Sequence, residues 1–285
     1  MKRPDFRLVH RLRVRWAEVD LQKIVFNAHY LMYFDTAITD YWRALGLPFE
    51  EAMLQLGGEL YVKKASLEFH GSARFEDQLE IALKCDRVGK SSMNFSGAIF
   101  RGDQLLVSCE LVYVFADPAS QTSRPVPDAL RTLVAYFEAG DAVLEIKTGD
   151  WTALGHPAAA LRAAVFVQEQ GIAPEFEWDE ADSSALHAVA YNGLGQAIAT
   201  GRLMSLAGRQ GKISRMAVHR AVRGSRVGQR LLAVLLEAAR QRGDFEVVLH
   251  AQRSVEGFYL RQGFLSRGDA FDEVGIAHIE MVKTL

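Results

Sequence analysis

Between Leu8 and Phe115 the hydrophobic residues recur with a period of two in five runs and at helical spacing in one long stretch, and that combination restricts the architectures open to this half of the chain. Leu8, His10, Leu12, Val14 and Trp16 share one face of the first run, with Arg11, Arg13 and Arg15 on the other, the pattern of a half-buried strand. Tyr30, Leu31, Phe34, Ile38, Tyr41, Trp42 and Leu45 then recur at helical spacing. The stripe is wide, so the helix is expected to be largely buried, and Gly46 and Pro48 stop it. Period two returns in 65–69, 79–85, 93–99 and 107–115, with Arg101-Gly102-Asp103 as a hairpin turn. One long helix wrapped by about five antiparallel strands predicts an α+β unit.

Pro118, Pro125 and Pro127 mark the end of that sheet, and a short helix is expected over 128–138. The strand-rich pattern then gives way to a helical one, which places domains at 1–140 and 151–285 with a linker at 141–150. The second half reads as helix, strands, helix, strand, helix, strand, with Asn192-Gly193 as a hairpin turn. A chain of 285 residues has room for two domains. The net charge of −2 gives no support for wholesale nucleic-acid binding. Cys85 and Cys109 sit at strand positions without metal-ligand spacing, so buried thiols are expected and no metal site. The N-terminus MKRPDFRLVH has no apolar core segment, and no run approaches the ~18–20 apolar residues of a membrane span. A cytoplasmic protein is expected.

Two constellations carry candidate chemistry. Asp20 lies just ahead of the long helix, where a carboxylate is a candidate base or nucleophile. The helix start offers free N–H groups and a positive dipole end for a developing oxyanion. Asn27 and His29 add donors or a proton shuttle. An Asp here is also the ordinary cap or turn residue, and Glu18 and Asp35 are rival carboxylates. In the second half, Arg223-Gly224-Ser225-Arg226-Val227-Gly228 links a strand to a helix. Loop amides there suit a pyrophosphate, the glycines allow close approach, and Arg220 and Arg230 add to the positive charge. Arginines on a helix are also the common solvated face.

Residues 7–137 resemble the hotdog-fold thioesterases of the 4-hydroxybenzoyl-CoA thioesterase group, including the YbgC-like acyl-CoA thioesterases. The resemblance runs through VRWAEVDLQKIVFNAHYLMYFDTA, ASLEFHGSARFEDQLEI, VGKSSMNFSGAIFR and VYVFAD. It implies Asp20 as the catalytic carboxylate and helix-entrance amides near Ile24, Val25, Phe26 and Asn27. It also implies a CoA-holding turn at Gly89, Lys90, Ser91 and Ser92. The site of such proteins forms between two hotdog units, which implies a homodimer or homotetramer. The chain departs from the family at Gln22 and Lys23, where glycine is usual, and the family's HxNY pair appears as Asn27 and His29.

Residues 153–283 resemble the GNAT acyltransferases, within them the ElaA-like subgroup, through LRAAVFVQEQ, EWDEAD, LHAVAY, ISRMAV and GIAHIEM. The family's Q/R-x-x-G-x-G/A motif falls on Arg223 to Gly228, with Arg226 where glycine is most common. The resemblance implies that Met216, Ala217 and Val218 pair with a pantetheine arm and that Arg223 to Gly228 hold its pyrophosphate. Tyr259 in FYLRQGF would protonate the departing thiolate, and a phenol of pKa near ~10 suits a thiol of ~8.5. Glu169, Asp182, His187 and His250 are candidate bases, as is a bound water. The acidic run Glu175, Glu177, Asp179, Glu180 and Asp182 reads as a solvated loop or as an attractant for a cationic amine.

The combined expectation is a bifunctional enzyme. The first half hydrolyses acyl-CoA thioesters, and the second transfers an acetyl or acyl group from CoA to an amine, with acyl-CoA and acetyl-CoA as substrates and no metal. The alternative is an acetyltransferase whose hotdog half is silent and serves oligomerisation or acyl-CoA sensing.

Overall fold

In the computed structural model, which describes residues 1–285, the chain divides into two units, Met1–Val143 and Leu144–Leu285. The first runs β1 (Leu8–Arg13), α1 (Asn27–Ala44), α2 (Phe49–Leu56), β2 (Glu59–Phe69), β3 (Gln78–Val88), β4 (Ser92–Arg101), β5 (Gln104–Ala116) and α3 (Asp128–Ala139). Its five strands form one antiparallel sheet in the order β1-β3-β4-β5-β2. Of the predicted stripe, Tyr30, Phe34, Ile38, Tyr41 and Trp42 lie on the buried face of α1 and Leu45 is buried just beyond it, while Leu31 is only half-buried and Tyr33 and Ala37 complete the face. The helix packs tightly on the sheet at Gly97, where a Cβ would lie 2.5 Å from the Phe34 ring. Tyr41 anchors the far end, edge-on to Phe95 and Phe137 at 5.2 Å. Its hydroxyl donates to Glu138 at 2.6 Å, and the same carboxylate accepts the Cys85 N–H at 2.8 Å, so the buried polar groups are paired.

Two local expectations need correction. The first strand stops at Arg13, and Trp16 is 77% exposed rather than on a buried face. The cause is Glu18, whose carboxylate accepts the Arg15 N–H at 2.7 Å and closes a 3-10 turn over Trp16–Glu18. β2 is longer than the 65–69 run and lies at the sheet edge, so most of its residues are exposed.

The second unit runs β6 (Leu144–Gly149), α4 (Trp151–Arg162), β7 (Leu186–Asn192), β8 (Ala197–Leu206), β9 (Gln210–Val218), α5 (Val227–Arg242), β10 (Glu246–Gln252), α6 (Glu256–Arg261), β11 (Leu265–Glu273) and β12 (Ile276–Thr284). Beyond α4 the backbone continues as a π-helical turn over Ala163–Glu169. The sheet order is β11-β12-β10-β9-β8-β7-β6, antiparallel throughout except between β9 and β10. The expected linker at 141–150 is therefore too long. Its Leu144–Gly149 portion pairs with β7 as an edge strand, with Leu144 buried.

Two irregularities shape this sheet. β9 and β10 pair only over Gln210–Lys212 with Glu246–Val248 and then diverge like a fork. In β9, Thr200 of β8 faces Ala217 and Arg202 faces Ser214, so Arg215 and Met216 together oppose Gly201. This is a β-bulge with Arg215 at φ 52°.

Candidate functional site

A cavity of about 1130 Å³ occupies the fork. Met216, Ala217 and Val218 line one arm, and Leu249, His250, Ala251 and Gln252 line the other. Arg223, Gly224, Arg226, Val227 and Gly228 close the open end, and Tyr259 reaches the same space from α6. The structure thus gathers the residues expected at a CoA site into one cavity. Ser225 is the exception, because its hydroxyl donates to the Val222 carbonyl at 2.7 Å and it does not line the space.

The loop geometry explains the amide cradle. Gly224 and Arg226 both take left-handed backbone, at φ 88° and 66°, turning the chain sharply into α5. The first helical bond comes from the Arg230 N–H to the Arg226 carbonyl, so the amides of Val227, Gly228 and Gln229 precede the helical ladder. At Gly228 a Cβ would sit 3.2 Å from Val218 on the facing strand, so a side chain there would narrow the fork. Arg223 is not free for phosphate. It forks onto Glu169 at 2.5 and 2.7 Å and donates to the Val218 carbonyl at 3.0 Å.

That fork also bears on Glu169 as a base. The Arg223 hydrogen bonds hold its carboxyl below the ordinary range, so it is a poor proton acceptor. Burial pushes the Tyr259 phenol up to about 12, so it remains protonated at neutral pH. Its ring packs on Phe258 at 4.9 Å and Phe264 at 5.8 Å.

The acidic run is solvated at Glu175 and Glu180 but not at Glu177 and Asp182, which are buried. Arg162, 1% exposed, bonds Glu177 through Nε, Asp182 at 2.8 and 3.1 Å, and the Glu177 carbonyl at 2.7 Å. Its guanidinium lies over the rings of Trp151 and Trp178 at 5.6 and 5.2 Å. Arg202 reaches Asp179 at 2.6 Å and Asp182 at 2.7 Å, and Arg215 reaches Asp179 at 3.1 Å. Burial works to raise Asp182, but the bonds from Arg162 and Arg202 outweigh it, and its carboxyl lies below the usual range. Three guanidiniums thus answer Glu177, Asp179 and Asp182, while Glu175 and Glu180 stay exposed on the surface of the run. His187 belongs to this cluster too: its Nε2 meets the Asp182 carbonyl at 2.8 Å, it stacks near Trp151, and it does not line the cavity.

Sequence reasoning did not find the cavity wall of Phe166, Gln170 and Phe176. The π-helical turn that presents the first of these has no pattern of its own in the sequence.

In the first unit, residues 20–24 form a tight turn between Val19 and Val25, which bridge. Asp20 takes the Gln22 N–H on its carboxylate at 2.8 Å, and its own N–H bonds the Ile24 carbonyl at 2.9 Å. Lys23 sits at φ 61°, the left-handed region where glycine is the easy residue. Two of the expected helix-entrance donors are spent: Val25 bonds the Ala73 carbonyl and Phe26 the Glu18 carbonyl. The amide of Asn27, the first residue of α1, remains at the helix end together with that of Ala28. His29 is half-buried, and its Nδ1 is buried without a hydrogen-bond partner. Glu18, a rival carboxylate, is 3% exposed and committed to Arg15 and to the Tyr33 hydroxyl at 2.8 Å.

Gly89, Lys90, Ser91 and Ser92 turn β3 into β4. The turn is pinned by Gly89 N–H to Ser92, Phe115 N–H to Ser91 and Val126 N–H to Lys90. Asp20 is tied instead to the other end of β3, through Val25 on Ala73 and Val14 on Asp77. The 11 residues of β3 separate the two groups by roughly 35 Å. One chain does not bring them together.

The sequence pattern of the thioesterase superfamily matches residues 22–108, and that of the acetyltransferase (GNAT) domain matches 162–285. The acyl-CoA thioester hydrolase YbgC of Escherichia coli O6:H1 is 25% identical over 128 residues, 45% of this chain and 92% of its own. A Bacillus subtilis protein provisionally named an acetyltransferase is 30% identical over 131 residues, 45% of this chain and 88% of its own. The crystal structure of Escherichia coli ElaA is 27% identical, covering 49% of this chain and 99% of ElaA with a TM-score of 0.45. Domains of two families are thus joined in one polypeptide. The chain belongs to the GNAT acetyltransferases through its second unit, and its first unit carries a thioesterase-superfamily domain over residues 22–108.

Proposed function

We propose that the chain is a bifunctional acyl-CoA enzyme, a thioester hydrolase followed by an N-acyltransferase. The observation that carries the second activity is the fork cavity, which joins a helix-end amide cradle to a buried, protonated phenol. An acyl-CoA fits that order of groups, with pyrophosphate on the amides of Val227 to Gln229 and the pantetheine arm between β9 and β10. The acceptor amine attacks the carbonyl carbon, and Tyr259 protonates the thiolate as the C–S bond breaks.

For hydrolysis, Asp20 activates water or attacks the thioester, and the first amides of α1 receive the oxyanion. The separation of Asp20 from Gly89 to Ser92 favours a site completed by a second copy, as a homodimer or larger homo-oligomer. β2 presents an open edge with Tyr61, Val62 and Phe69 exposed, a surface suited to such pairing. No helix is long and apolar enough to cross a membrane. We place the enzyme in the cytoplasm on composition.

A panel of acyl-CoAs tests the first activity by thiol release without amine. Turnover that vanishes in Asp20→Asn is the expected result. A second reading rests on Lys23, a strained and bulky residue in the catalytic turn: the hotdog unit then binds acyl-CoA without turning it over. Ligand binding with no thiol release across the panel would select that reading. For the transferase, Tyr259→Phe is expected to lower kcat about 10²-fold or more with acetyl-CoA affinity unchanged.

A further inference from the structure

The fork fixes where a thioester would lie. The amide cradle stands at its open end, so an extended pantetheine arm would place its sulfur toward the closed end, beside Lys212 and Val248, the last paired residues. His250 is two residues further along β10. Val248, His250 and Gln252 share one face of that strand, and Gln252 donates to Gln170 at 2.9 Å, so this face meets the segment that follows α4. His250 lines the cavity there, with Glu273 and His278. Its Nδ1 lies 3.2 Å from the Glu273 carboxylate of β11, and the Phe271 ring packs edge-on at 4.9 Å. Three other charged groups surround it. Glu280 of β12 is 4.0 Å from Nε2 but is held by Arg267 of β11 at 2.5 Å, and Lys212 stands near Glu280 on β9.

We propose that His250 is the general base of the acyl transfer and that Glu273 positions it, an inference that rests on the acyltransferase reading of the same cavity. An ionised Glu273 accepts the Nδ1–H and leaves the lone pair of a neutral imidazole on Nε2. The other candidates are engaged elsewhere, Glu169 by Arg223, and Asp182 and His187 in the arginine cluster. An acceptor that arrives as an ammonium ion first gives its extra proton to Nε2, which passes it to solvent; as the free amine nitrogen then bonds the carbonyl carbon, Nε2 takes one further proton from it. The C–S bond then breaks, Tyr259 gives its proton to the sulfur, and solvent returns the imidazolium proton to the tyrosinate. The products are the amide and CoA thiol, and both side chains regain their starting states.

The full chain is assayed with acetyl-CoA against primary alkylamines, which are mostly ammonium ions at neutral pH, and against arylamines, which arrive unprotonated. His250→Gln is expected to lower kcat for alkylamines by ~10²–10⁴ with the KM for acetyl-CoA unchanged. The loss should be smaller for arylamines, and added imidazole should restore part of the rate to His250→Ala. Glu273→Gln should lose about tenfold with the same amine dependence. A wild-type kcat in His250→Gln, or an equal loss on both amine classes without imidazole rescue, overturns the proposal. Absence of transfer by the wild-type chain to any amine overturns the acyltransferase reading together with it, whereas transfer that ignores His250 overturns the base alone.

Discussion

Lys23 holds a left-handed backbone conformation that L-residues adopt at a cost of about 1 kcal/mol. Lys23→Gly is expected to raise the unfolding free energy by ~0.5–1 kcal/mol, part of the gain being offset by glycine's flexibility. Urea titration measures it, and thiol release by the same variant tells whether the lysine restrains the turn that holds the proposed catalytic Asp20. Cys85 and Cys109 are governed by burial, which pushes each thiol up to about 12. Both are expected to resist alkylation at about pH 8 in the folded chain and to react fully in denaturant. Around Glu18, burial opposes ionisation, but the Arg15 and Tyr33 bonds prevail, and its carboxyl lies below the ordinary range. A depressed carboxyl contributes stability above its unfolded-state value, and that contribution is lost as pH falls through the folded value. Tyr33→Phe should cost ~1.5–3 kcal/mol near neutral pH and flatten this acid loss, as read from unfolding curves at neutral and acid pH.

At the scale of elements, α1 and its sheet were legible because amphipathic period and burial agree: Phe34 and Tyr41 lie on the predicted stripe and in the core. Gly97→Ala is expected to cost ~1–3 kcal/mol by forcing the Phe34 ring off the sheet. β6 and β11 were not read as strands. LEIKTG is short and at an edge, and LSRGDAFDE is almost wholly exposed, so neither needs an apolar face. The loop of 174–184 misled for another reason. Its charges look solvated in one dimension, and only the fold brings Arg162, Arg202 and Arg215 from three other elements to meet them. Arg162→Met should therefore destabilise the chain by ~3–5 kcal/mol, since Glu177 would remain buried without its hydrogen-bonded guanidinium and Asp182 would keep Arg202 alone. Thermal unfolding checks this. The glycine-containing loop of 223–228 was readable because its backbone signals are local, and the fork was not, because it depends on where two distant strands stop pairing.

At the scale of the whole molecule, the thioesterase proposal makes a quantitative claim about assembly. If Asp20 of one copy works with Gly89 to Ser92 of another, two defective chains should complement. Mixing Asp20→Asn with a chain altered at Lys90 and Ser91 should restore about a quarter of wild-type thiol release, since half the dimers are mixed and each holds one intact site. No recovery on subunit exchange would place the whole site within one chain. The acyltransferase unit has a separate consequence, rooted in the gap between β9 and β10. Strand backbone facing that gap has no neighbour to pair with, so under the proposed acyltransferase function a bound acyl-CoA would serve as the missing strand. At a hundredfold excess over its Kd it would add ~2.7 kcal/mol to the native state. Proteolytic survival of this protein would then rise and fall with the metabolic supply of its own substrate, making its abundance a record of how well fed the cell has been.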